Sequence, residues 1–212
     1  MITMSGFNFK INEVYYVLAG LLVIIIVFNF FSSLTSHQRR LFETQAINRG
    51  GFLTHRLFLP QLNFNYVDIA VKVVSTRGGQ GKAANTYIFC EFPADTPYRL
   101  HIFPSEHQED FSREGLKEMK SSQGAFDDFF TMMANEAIAA QGKLDDQIKE
   151  KFLKLKEYRP TCSLTNRKFR FGVSGKIVHH EELDRIIQTA LDIIEHLRPV
   201  TENRVGDPFT DL

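Results

Sequence analysis

Histidines and acidic residues give the sequence its best candidates for metal chemistry. His179–Glu182 contains imidazole and carboxylate groups of the kinds that bind zinc, and His101 and His107 are further candidates. Zinc needs three or four ligands that converge at about 2 Å from the ion, whereas adjacent residues on a helix point apart. The acidic residues of this segment and Asp184 also suit the first turn of a helix, where they complement the helix dipole. We therefore expect a helix start here and no metal site.

A second acidic group, Asp127-Asp128 with Glu136 nearby, has the residue types for general acid–base chemistry. Such chemistry needs one carboxyl group that is desolvated and protonated beside another that stays ionised. Exposed acids beside a helix start explain the same residues, and we favour that interpretation. The alternative is a membrane-associated, hydrolase-like enzyme whose dispersed site contains His101, His107 and the Asp127-Asp128 pair.

The other candidate motifs lack essential parts. Gly78–Lys82 has the glycines and lysine of a phosphate-binding loop, but Ala83 stands where a hydroxyl would bind magnesium, and a strand follows. A hairpin tip fits this segment better. Ser174 does not lie in a G-x-S-x-G motif, and Cys162 has no suggestive local context for a nucleophile. The catalytic residues therefore stay unknown, and we expect no cofactor.

An apolar run from Val14 to Phe31 is the strongest signal in the chain. As a helix, the run would be roughly 27 Å long, which is close to the thickness of the hydrocarbon core of a bilayer. It is longer than the apolar part of a cleaved signal peptide, and no small-residue cleavage motif follows it. We therefore expect a transmembrane helix over 14–33 that contacts the lipid bilayer through residues 14–31.

The charges beside the run predict its orientation. Lys10 precedes it, whereas Arg39, Arg40 and Arg49 follow it. Positive charge is enriched on the cytoplasmic side of membrane helices. We expect a single-pass protein of the inner cell membrane with its C-terminal domain in the cytoplasm.

Composition limits the classes of partner. The 212 residues include 25 Lys and Arg and 25 Asp and Glu, so the formal net charge is zero. This balance argues against a broad basic surface for nucleic acid. Cys90 and Cys162 form no CxxC motif, and Cys90 lies within an apolar run. We expect both thiols to remain reduced in the cytoplasm.

Alternating apolar residues predict strands after the anchor. Tyr66–Ser75, Thr86–Phe92 and Tyr98–Phe103 read as three strands of an antiparallel meander, and Thr161–Val173 reads as a hairpin. The aromatic and methionine residues of Phe129–Met133 are better explained as core packing than as a partner-binding surface.

Apolar residues at helical spacing predict two helices, Leu144–Glu157 and Glu181–Leu197. Together with the strands, they predict an α+β domain in which helices pack on one face of an antiparallel sheet. We divide the chain into an N-terminal segment (1–13), a transmembrane helix (14–33), a juxtamembrane helix and linker (34–51), an α+β domain (52–198) and a loose tail (199–212).

The second half of the chain resembles a group of uncharacterised bacterial membrane-anchored proteins with a C-terminal α+β domain. Phe126–Phe130, Lys151–Leu155, Phe169–Phe171 and Glu182–Leu197 carry this resemblance, which is one of residue classes over residues 126–197. It departs at Met132–Asn135, where that arrangement has a short strand. The resemblance implies the tether and the fold, and it implies no activity.

Two classes of function follow from these features. The anchor, the balanced charge and the incomplete catalytic motifs favour a non-catalytic, membrane-tethered interaction or assembly module, with a membrane or membrane-associated protein as partner. The enzyme described above is the alternative. A deep pocket that gathers the candidate histidines and acids would favour the enzyme.

Overall fold

The computed structural model describes residues 11–56, 59–76, 78, 84–106, 115–120, 124–135, 146–175 and 177–198, without the side chains of 11–13 and 27–36. The predicted tail, His107, Glu136 and most of the Gly78–Lys82 segment lie outside this description.

An antiparallel sheet forms the centre of the fold. Its strands, in chain order, are β1 (Phe52–Arg56), β2 (Leu59–Tyr66), β3 (Ile69–Thr76), β4 (Asn85–Glu91), β5 (Arg99–Pro104), β6 (Lys117–Glu118), β7 (Phe130–Ala134), β8 (Thr161–Thr165) and β9 (Lys168–Ser174). Across the sheet, the described strands follow the order β1-β2-β3-β4-β9-β8-β5-β7-β6. The late hairpin β8–β9 therefore lies in the middle of the sheet.

The predicted three-stranded meander is correct for β3 and β4 but wrong for the third strand. β4 pairs with β9, and β5 pairs with β8 and β7. The segment between β4 and β5 crosses the turn of the late hairpin, because the Phe92 amide donates to Arg167 O at 2.8 Å and the Thr96 hydroxyl donates to Asn166 O at 2.7 Å. These bonds hold the β4–β5 segment against the turn of the late hairpin, so β5 does not fold back on β4.

Helices cover one face of the sheet. The described helices are α1 (Ile11–Arg49), α2 (Gly124–Asp127), α3 (Asp146–Lys154) and α4 (His180–Leu197). The apolar stripe of α4 is fully buried and lies in one core with α1, α2, α3 and the inward side chains of the strands. An α+β fold with helices on one face of an antiparallel sheet is confirmed.

The C-terminal part of α1 belongs to this core. Leu41, Phe42 and Ala46 are buried with the sheet residues. Gly50 then adopts a left-handed conformation with φ 61°, and the Gly51 amide donates to Ala46 O at 2.8 Å, which ends the helix. The segment expected to be a juxtamembrane helix and linker is helical up to Arg49 and packs on β1 and β2.

The N-terminal part of α1 is different. Its described side chains, 14–26, are all exposed. Among the residues that the structure describes, no helix reaches the length and apolar character needed to cross a membrane.

Four strands differ from the sequence-based expectation. β1, β2 and β6 have no counterpart among the predicted strands. Phe130–Ala134 forms β7, so a strand occupies most of the Met132–Asn135 segment at which the resemblance departs in the sequence. Phe130 and Met132 of β7 are buried, as expected of core residues, whereas Phe129 is 48% exposed.

Candidate functional site

The face of the sheet opposite the helices carries the candidate site. No described helix packs on this face, and its side chains alternate with those of the core along each strand. The strand register places Lys72, Phe89, Arg170, Ser163 and His101 in one row across β3, β4, β9, β8 and β5. We call this surface the open face.

Arg170 is at the centre of the open face. Its guanidinium carbon lies 4.3 Å from the centre of the Tyr87 ring and 6.0 Å from the centre of the Phe89 ring. These distances are typical of cation–π contacts. The aromatic rings restrict the exposed guanidinium while leaving its N–H groups available to a ligand.

Gly172 makes room for the Tyr87 ring. A Cβ atom on Gly172 would lie 2.8 Å from two Tyr87 ring atoms and 2.9 Å from Thr161 Oγ1. Only the missing side chain allows the ring to lie against the backbone of β9. The position of Tyr87, and hence the contact with Arg170, depends on this glycine.

Two open grooves share Arg170 and Ser163. The first, which we call the basic groove, has a volume of about 480 Å³ and lies beside Lys72, Thr165 and Lys168. The second, the aromatic groove, has a volume of about 350 Å³, and its lining includes Tyr87, His101, Phe103, Thr161 and Ser174.

The basic groove carries an excess of positive charge. Of the residues that the structure describes, Lys72, Lys168 and Arg170 line it together with one carboxylate, Glu91. Arg167 pairs with Glu91, with Nε 3.6 Å from Oε1, so that carboxylate is already partly balanced. A negatively charged group would therefore be attracted to this groove.

The structure separates the described members of the proposed catalytic set, His101 and the Asp127-Asp128 pair. His101 lines the aromatic groove on the open face. Asp127 ends α2 and Asp128 follows it, next to the buried Phe126 on the helix-covered side. The two acids therefore do not meet His101 around a common pocket.

The paired histidines lie at the start of α4. His179 is its N-cap residue, and His180 Nε2 is 3.2 Å from Glu181 Oε1. Within the described ranges, no three His, Cys, Asp or Glu residues are grouped as a metal site would require.

Both cysteines are buried free thiols. Burial raises the pKa of Cys90 to about 12. Burial, and to a lesser degree the neighbouring Cys90, raises the pKa of Cys162 as well. Because the thiolate is the reactive form, neither group is suited to be a nucleophile at neutral pH.

The central residues of the open face were absent from the sequence-based candidates. Tyr87 and Phe89 alternate with buried residues along β4, and Lys168 and Arg170 do the same along β9. That alternation is visible in the sequence. The pairing of β4 with β9 is not, because it joins segments that are far apart in the chain.

Comparison with known proteins gives a likeness of fold. No family model and no curated protein matches the chain. Among solved structures, the chain is similar to the mycobacterial trehalose monomycolate transport factor A, TtfA, with a TM-score of 0.55 and 10% sequence identity. The match covers 76% of this chain and 96% of that chain. At this identity the likeness concerns the fold alone.

Proposed function

We propose that this protein is a non-catalytic interaction or assembly module tethered to the inner cell membrane by the Val14–Phe31 run, with its C-terminal domain in the cytoplasm. The observation that carries the proposal is the exposure of the N-terminal part of α1. Its side chains from Val14 to Ile26 are exposed and apolar apart from the phenol hydroxyls of Tyr15 and Tyr16. A helix that is apolar on every side needs an apolar environment, which a bilayer provides.

The same helix joins the anchor to the domain without a flexible connection. Besides the buried contacts of Phe42, three polar contacts tie α1 to the segment that begins α4. His37 Nε2 is hydrogen-bonded to Val178 O at 3.0 Å, and Gln45 Nε2 donates to His180 O at 3.3 Å. Arg49 pairs with Asp184 at 2.5 Å. These contacts favour a domain that is held in a fixed orientation close to the bilayer.

The open face gives the tethered domain a surface for a partner. Its stacked cation and two grooves provide polar and aromatic contacts, while the described candidate catalytic groups, His101 and the Asp127-Asp128 pair, lie apart. The similarity to TtfA supports the proposal only to the extent that this fold also serves a trehalose monomycolate transport factor.

Site-specific photo-cross-linking in native membranes tests the proposal. A photoreactive benzoylphenylalanine replaces Thr165, which is exposed at the basic groove, or Glu150, which is exposed on α3. We expect a discrete adduct with a membrane or membrane-associated protein from position 165 and none from position 150. Equal labelling from both positions, or none from position 165, would contradict the proposal.

Orientation has a separate test. A reporter that is active only in the cytoplasm, fused after Leu212, should be active, because Arg39, Arg40 and Arg49 follow the apolar run. Activity of an export-dependent reporter at the same position would reverse the orientation.

A further inference from the structure

The basic groove has the spacing of cations that an extended acidic chain would match. Lys168 and Arg170 are two residues apart on β9, so their backbones are roughly 7 Å apart on one face. Alternate side chains of an extended polypeptide repeat at the same distance. Lys72 lies two strands away in the same row as Arg170, at a backbone distance of roughly 10 Å.

Arg170 is prepared for a carboxylate. The Tyr87 ring at 4.3 Å limits the orientations of the planar guanidinium. A guanidinium held in this way can donate two parallel N–H bonds to one carboxylate. Among the described residues, no carboxylate is within ion-pair distance of Lys72, Lys168 or Arg170.

The position of the groove along α1 distinguishes a protein ligand from a lipid headgroup. The Arg49 guanidinium lies 5.6 Å from the centre of the Phe64 ring, and Phe64 pairs with Val71, the neighbour of Lys72. Lys72 is therefore level with the end of α1, roughly 27 Å along the helix from Phe31. The headgroup layer extends only about 5–8 Å beyond the hydrocarbon core, so headgroups would not reach the groove.

We infer that the basic groove binds an acidic, extended segment of a partner protein, with carboxylates at alternate positions along β9. This inference rests on the proposed function, because it names the kind of partner that the tethered module takes. Glu91 also lines the groove, and its negative charge would repel a segment in which every residue is acidic. A segment whose acidic residues are separated by neutral ones fits the groove better.

Peptide binding to the full chain in detergent tests the inference. The probe is a fluorescent eight-residue peptide of alternating Glu and Thr, and its control replaces each Glu by Gln. Fluorescence anisotropy at low ionic strength should show binding of the Glu peptide alone, with an affinity that falls as salt is added. Failure of the Glu peptide to bind, or equal binding of both peptides, would overturn the inference.

Substitutions in the chain locate the binding. Lys72→Gln/Lys168→Gln/Arg170→Gln should weaken binding about tenfold or more. The matched control, Arg39→Gln/Lys120→Gln/Lys154→Gln, removes three exposed cations that already face carboxylates and should change the affinity less than about twofold. The single variant Arg170→Lys should bind the Glu peptide more weakly than the unaltered chain and more tightly than the first triple variant. Lysine keeps the positive charge but cannot donate two parallel N–H bonds. Equal loss in both triple variants would overturn the inference.

Competition with a lipid headgroup completes the test. Dihexanoylphosphatidylglycerol below its micellar concentration should not displace the Glu peptide at concentrations near the peptide's dissociation constant. Displacement would assign the groove to lipid headgroups and overturn the inference. This assay does not require membrane residence. Failure of the Glu peptide to bind would therefore overturn the acidic ligand, while a protein adduct from position 165 would still support the membrane-tethered interaction module.

Discussion

At the scale of single residues, Gly172 determines where the Tyr87 ring can lie on the open face. It lets the Tyr87 ring lie on the backbone of β9, and that ring supports Arg170. The arrangement joins three kinds of residue, a glycine, an aromatic ring and a cation, from two strands that become neighbours only in the folded protein.

Gly172→Ala should destabilise the protein by about 1–3 kcal/mol, because the new Cβ atom would overlap the Tyr87 ring unless that ring moves. Urea denaturation measures the change in the free energy of unfolding. Gly124→Ala is the matched control, since a Cβ there meets nothing within 4 Å. A loss at Gly172 no larger than at Gly124 would contradict the close packing of Tyr87.

The buried thiols should make stability depend on pH above neutrality. Burial raises the pKa of Cys90 from 9.0 to about 12 and raises that of Cys162 in the same direction. Above about pH 9 the unfolded chain releases these protons while the folded chain keeps them, so the free energy of unfolding falls as pH rises towards 12.

Urea denaturation between pH 8 and about 11 checks this dependence. Cys90→Ala/Cys162→Ala should show a shallower decline. Some decline should persist, because burial and the hydrogen bond to Glu195 also raise the pKa of Tyr66. Identical slopes in the two proteins would exclude the thiols as its cause.

At the scale of elements, α4 holds the helical layer together. It lies between α1 and α3, and Lys151 of α3 pairs with Asp192 of α4. Its buried residues extend around more than half of its circumference, since both its sheet side and its flanks are covered.

Ile187→Ala or Leu191→Ala should cost about 2–5 kcal/mol of stability, because each side chain is at most 1% exposed. His179→Ala should cost less than about 0.5 kcal/mol, since the residue is exposed and its side chain makes no capping hydrogen bond. Chemical denaturation ranks the variants. A larger loss at His179, reproduced by a chelator, would indicate a structural metal instead.

The end of α1 should be necessary for folding. A fragment of residues 34–212 keeps Leu41, Phe42 and Ala46, whereas a fragment of residues 52–212 lacks them. We expect cooperative urea unfolding, followed by circular dichroism, in the first fragment only. Within it, Phe42→Ala should cost about 3–5 kcal/mol. Ile47→Ala, at a position 82% exposed, is the control. Cooperative unfolding of 52–212 would show that the core does not need α1.

In this protein, sequence patterns predict which segments form strands and helices better than they predict which strands pair. Alternation located β3, β4, β5 and the β8–β9 hairpin, because buried and more exposed residues alternate along β3, β4 and β8 and along the first part of β5 and β9. The insertion of the hairpin between β4 and β5 depends on bonds at Phe92 and Thr96 to a turn far along the chain. Local periodicity contains no information about such bonds, so the meander was wrong and the grooves could not be foreseen.

β2 was missed for a local reason. Its Pro60 precedes a short pattern in which the buried Leu62 and Phe64 alternate with the more exposed Asn63 and Asn65. Proline usually argues against a strand interior, although it is tolerated near a strand start. Asn63 and Asn65 lie on the open face, and these polar residues make the segment resemble a loop in the sequence.

At the scale of the whole molecule, the proposed function combines three features: an exposed apolar segment of α1, the packed end of the same helix and the open face. We propose that the first holds the protein at the membrane and that the second fixes the orientation of the domain. The membrane residence in this proposal depends on α1 being an anchor.

Alkaline carbonate extraction of membranes that contain the full chain tests this central claim most directly. Burial of the Val14–Phe31 run in lipid does not depend on ion pairs, so the intact protein should stay in the membrane pellet at high pH and at high salt. A fragment of residues 34–212 should appear in the supernatant. Release of the intact full-length protein by carbonate would contradict the account.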